Sequence, residues 1–79
     1  MDLKPGDSFV TEDNLEYLVV SAEGFNLKDF GFEANFISIS VKYGMMMSYH
    51  KNIEDIFSDY KVKEVIPNEN SFERRNKLL

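Results

Sequence analysis

The chain has a single histidine, His50, which ends the run "YGMMMSYH" from Tyr43 to His50, directly after three methionines and two polar residues. Thioether sulfur and imidazole nitrogen together suit a soft ion such as Cu(I). On an extended strand, however, Met46 and His50 share a face only four residues apart, about 13 Å along the chain, too far to hold one ion between them. The run reads as half of a β-hairpin, with methionines packed inward and an exposed histidine, and no metal is assigned. Catalysis also lacks parts: there is no cysteine, no Gly-x-Ser-x-Gly elbow and no phosphate-cradling loop. The remaining acid–base candidates are Glu12-Asp13 and Glu54-Asp55. Their members are adjacent in sequence and so diverge on a turn or helix, with nothing apolar around Glu12-Asp13 to desolvate a carboxylate. No enzymatic activity and no cofactor are expected.

Chemistry of recognition has better material. The segment 24–36, "GFNLKDFGFEANF", carries Phe25, Leu27, Phe30 and Phe32 among Lys28, Asp29 and Glu33, where a surface loop normally carries small polar residues. Aromatic side chains anchor protein interfaces and charges line their rims. The expected contact set is Phe25, Leu27, Asp29, Phe30, Phe32 and Glu33, with at least two of the four apolar side chains folding back to close one end of the core. Charge narrows the partner. The net charge is −5, residues 1–33 hold eight acids against Lys4 and Lys28, and the last ten residues place Arg74, Arg75 and Lys77 against Glu73. An acidic body repels phosphate, so direct nucleic-acid contact is disfavoured and a protein with a basic or apolar surface is the natural partner. The alternative is an acidic nucleic-acid mimic that blocks a DNA-binding protein.

These residues need a scaffold, and 79 residues supply one small domain, which buries about 60–65% of its unfolded surface. The absence of cysteine favours an intracellular address. No stretch approaches the roughly 20 apolar residues of a membrane span, and "MDLKPGDSF" lacks the regions of a signal peptide. The expectation is a cytoplasmic protein without membrane insertion.

Pro5-Gly6-Asp7 predicts a turn into a strand at 7–11, and Glu12-Asp13-Asn14 a second turn into a strand through Tyr17–Val20. After the glycine-punctuated loop, Ile37, Ile39, Val41 and Tyr43 alternate with Ser38, Ser40 and Lys42, which predicts a half-buried strand with its serines outward. A turn at Tyr43-Gly44 returns Met45–His50 antiparallel, with Met45, Met47 and Tyr49 on one face and Met46, Ser48 and His50 on the other. Asn52, with Asp55 three residues on and Ile53, Ile56 and Phe57 at helical spacing, predicts one or two helical turns. A last strand over 60–65 stops at Pro67. Residues 1–67 form the domain, and 68–79 a flexible or short helical tail.

This order of elements resembles a small SH3-like barrel: "PGDSF" looks like the entry to its first strand, "AEGFNLKDFGFEAN" lies where such barrels carry a long loop, and "IEDIF" lies where they carry a 3₁₀ turn. The likeness is one of architecture, since the aromatic and proline residues of eukaryotic SH3 peptide grooves are not recognisable. It implies a mainly β fold, a five-stranded barrel with one short helical or 3₁₀ turn, the alternative being an open antiparallel α+β sheet. In size, acidity and lack of cysteine the chain is also similar to the small early proteins of large Bacillus phages, many of which disable a host protein. That likeness implies a non-enzymatic protein-binding inhibitor acting in the host cytoplasm, for example on cell division.

Overall fold

Glycine and asparagine set the first hairpin. Gly6 takes a φ of 97° in the turn after Pro5, a conformation open to a residue without Cβ, and delivers the chain into strand β1 (Ser8–Thr11). Asn14, at φ 63°, turns it back into β2 (Glu16–Ser21). The structure, a computed structural model, describes residues 2–23, 27–31 and 33–68. Beyond β2 it holds a 3₁₀ turn at Leu27–Phe30, β3 (Phe36–Ser40), β4 (Met46–His50), a short helix α1 (Glu54–Asp59) and β5 (Val62–Ile66).

The five strands form one antiparallel sheet in the order β4-β3-β2-β1-β5. The last strand therefore returns to pair with the first. The fold is mainly β with one short helix, as the sequence pattern suggested, but the sheet is open: no backbone ladder joins β4 to β5. Side chains span that gap instead, since α1 and the residue after it meet the inner face of β4.

Paired residues share a face, so the register defines rows across the sheet. One row runs Val65, Phe9, Tyr17, Ser40; the next runs Val19, Ser38, Ser48; a third runs Ser21, Phe36, His50. On this face Phe9, Tyr17 and Val19 pack with Leu3 and Ile56 into the core, and Ile53, Phe57 and Tyr60 close over it. Helix α1 carries Ile56 into that core. Its entry uses half of the anticipated cap: the Asp55 carboxylate accepts from the Asn52 amide at 3.0 Å, while Ile53, which caps by backbone alone, holds the N-cap position.

Two expectations for β3 and β4 are overturned. The serines of β3 face the aromatic core, because Ser38 lies opposite Val19 and Ser40 opposite Tyr17. Val41 and Tyr43, expected inside, lie in the turn after β3 and are exposed. Ile37 is also fully buried, on the opposite face, so both faces are covered at the centre of this strand. The second correction follows from the first. His50, expected at the surface, is 2% exposed, whereas Met45 and Tyr49, expected inside, are exposed. Bulky residues on β1 and β2 already fill their side of the core, and short hydroxyl side chains opposite them leave room for the rings of Tyr60 and His50.

Candidate functional site

Polar groups gather at two adjoining places around Tyr60. The inner one is built on β3, β4 and the end of α1. The His50 ring lies with Nε2 at 2.8 Å from Ser38 Oγ and 3.1 Å from Ser48 Oγ, and with Nδ1 at 3.3 Å from Asp59 Oδ2. Ser48 Oγ also meets the Tyr60 hydroxyl at 2.5 Å. A carboxylate only accepts, so Nδ1 carries a hydrogen toward Asp59, and Nε2 of the neutral ring accepts from a serine hydroxyl. The Tyr60 ring stands edge-on to the imidazole, with centroids 6.1 Å apart.

Acid, imidazole and hydroxyl follow one another here in the order of a hydrolytic triad, yet exposure runs the opposite way. The Asp59 side chain is 57% exposed, while Ser38 is fully buried. A nucleophile must reach its substrate and the acid behind the histidine is ordinarily dry. Ser38 has no route to a substrate, and Ser48 is already engaged by Tyr60. The arrangement ties β4 to α1, replacing the missing backbone ladder with side-chain hydrogen bonds. For the pairing of Met46 with His50 the consequence is direct: both ring nitrogens of His50 are occupied by protein groups, and the side chain of Met46 lies outside the description. Among the described residues no group of three metal-ligating side chains is gathered.

The outer place is an open cleft of about 390 Å³ lined by Thr11, Glu12, Asp13, Tyr17, Asp59, Tyr60 and Lys61. The first hairpin supplies its acids and the exit of α1 supplies Asp59 and Tyr60. Tyr17 and Tyr60 form its floor and join the buried Phe9 in a three-ring cluster, with centroids 4.9 to 5.3 Å apart. Tyr17 is held above the ordinary tyrosine pKa of 10.0, by burial first and then by Tyr60 and Asp13. The Thr11 hydroxyl donates to Asp13 Oδ1, which fixes that carboxylate at the rim.

The anticipated contact residues lie elsewhere. Phe30 and Asp29 sit exposed on the 3₁₀ turn, which Gly31 ends at a φ of 84°. Glu33 is exposed and 3.8 Å from Lys51, a surface ion pair worth about 0–1 kcal/mol. Leu27 belongs to the turn by its backbone, its side chain lying outside the description, and Phe25 and Phe32 are outside the described residues. The strand pattern gave no hint of the His50 network or the tyrosine cleft. The usable signal was parity: Ser38, Ser48 and His50 fall on one face once β3 and β4 are paired, a common face that a polar-outward rule discards.

No family model, no characterised protein and no solved structure matches the chain. No described helix is long and apolar enough to cross a membrane.

Proposed function

We propose that the chain is a non-enzymatic protein-binding module whose contact surface centres on the 3₁₀ turn at Leu27–Phe30. The observation that supports this is Phe30, 75% exposed between exposed Asp29 and Gly31. Covering such a ring stabilises a complex by about 1.5–3 kcal/mol, and acids beside it suit a basic or apolar partner surface. In its fuller form the proposal is an SH3-like module encoded by a phage and directed at a host protein in the host cytoplasm. A helical turn placed just before a last strand that pairs with the first supports the SH3-like part, and small size with acidity supports the rest.

The test is a comparison of Phe30→Ala with the unaltered chain as bait in host lysate. Specific capture should fall by about tenfold or more, with circular dichroism and melting unchanged. Undiminished capture by a folded variant refutes the assignment of this surface. The second reading, an acidic mimic of nucleic acid, is favoured by Glu12, Asp13 and Asp59 around one cleft. It requires binding that weakens steeply with salt and is indifferent to Phe30.

A further inference from the structure

We propose that the cleft beside Tyr17 and Tyr60 is a second contact site, separate from the Phe30 turn, which takes an arginine side chain from a basic segment of a partner protein. The argument begins with charge. Glu12, Asp13 and Asp59 line the cleft against Lys61 alone, so an incoming cation finds a surplus of carboxylate.

Those carboxylates are also held ready. Asp13 uses Oδ1 to accept from Thr11, and Asp59 uses Oδ2 to meet His50, which leaves Asp13 Oδ2 and Asp59 Oδ1 without a partner among the described residues. Asp59 is anchored from inside the protein by a buried ring while over half of its side chain remains open to water. A pre-oriented acceptor loses little freedom when a ligand arrives.

The floor adds a second kind of recognition. Tyr17 and Tyr60 lie 4.9 Å apart, and Tyr17 is 7% exposed with no hydrogen-bond partner for its hydroxyl among the described residues. Tyr17 lines the cleft together with Tyr60 and Asp13. The hydroxyl of a side chain that is otherwise buried but lines the cleft, beside the Tyr60 ring and carboxylate oxygens without a partner among the described residues, fits a planar cation that carries several donors. Guanidinium is such a group: it stacks on tyrosine, forks onto carboxylates and loses hydration more readily than ammonium. The opening of about 390 Å³ admits one or two side chains of an extended segment.

The probe is an acetylated, amidated Ala-Arg-Ala-Arg-Ala peptide, titrated into isotope-labelled protein by NMR, with the same peptide carrying citrulline at both arginines as its neutral isostere. Saturable shifts should centre on Tyr17, Tyr60 and Asp59, and the citrulline peptide should bind about tenfold or more weakly. Asp59→Asn alters the His50 partner and can disturb the fold. The variants that decide are therefore Glu12→Gln and Asp13→Asn on the exposed turn, which together should weaken the arginine peptide by about fivefold or more. Phe30→Ala should leave its affinity unchanged, which separates this site from the turn. Equal binding of the citrulline peptide, or shifts at Glu54 and Glu64 as large as those at Tyr17 and Tyr60, would overturn the proposal. So would full affinity in the doubly altered, folded protein.

Discussion

Tyr60 and Asp59 each belong to two neighbouring polar clusters that use similar chemical groups and differ in exposure. On the inner side, Tyr60 meets Ser48 and Asp59 meets His50, whose ring is dry. On the outer side the same two residues line an open cleft with Glu12, Asp13 and Tyr17. A buried hydroxyl or imidazole that loses its partner retains the full cost of desolvation, whereas an exposed carboxylate turns to water at little cost. The inner cluster is thereby committed to the fold, and the outer one stays open to solvent. The fully buried Phe9 supports both, since its ring touches Tyr17 and Tyr60.

That shared support gives the largest expected effect. Phe9→Ala should lower stability by about 3–5 kcal/mol, read from urea denaturation, and should collapse the cleft together with the network. A loss below about 1 kcal/mol would mean that the rings are not held by a common core.

The inner–outer contrast itself is tested by a pair of substitutions. His50→Ala removes a buried ring and strands the buried hydroxyl of Ser38, for an expected loss of about 2–4 kcal/mol. Glu12→Gln, on an exposed turn, should stay within about 0.5 kcal/mol of the unaltered chain. Comparable losses from the two would erase the distinction.

The smallest effect sharpens the boundary between the clusters. Because the pKa of Tyr17 is raised in the folded chain, the folded state keeps its proton where the unfolded chain, near the ordinary value of 10.0, gives it up. Its contribution to stability is complete below about pH 10 and is lost as pH rises from there through the folded-state value. Denaturation midpoints measured from about pH 9 to about pH 11 should fall, and Tyr17→Phe should flatten that fall. An unchanged slope in Tyr17→Phe would place the phenol in open water.

Much of the scaffold was legible because local chemistry decided it. Pro5-Gly6-Asp7, Glu12-Asp13-Asn14 and Gly44 are turn residues whatever surrounds them, and Gly44 does take a φ of 64° between β3 and β4. The run of β-branched and aromatic residues in β2, and the spacing of Ile53, Ile56 and Phe57, likewise placed a strand and a helical turn correctly. The candidate sites were less legible. Phe30 was visible as an aromatic in a polar loop, whereas the cleft unites residues 11–13 with 59–61, which only the pairing of β1 with β5 brings together.

Alternation in the sequence determined that residues 36–40 and 46–50 form strands with two distinct faces, since a period of two is a property of the extended backbone itself. Which face turned inward was decided by the tertiary structure. Val19 and Tyr17 occupied the inner side of β2, their cross-strand partners were Ser38 and Ser40, and paired residues must share a side. Serines thus entered the core, where His50 met Ser38 and Ser48 while Ser40 accepted from the Tyr43 amide, and hydroxyl and imidazole could be buried because each found a partner there.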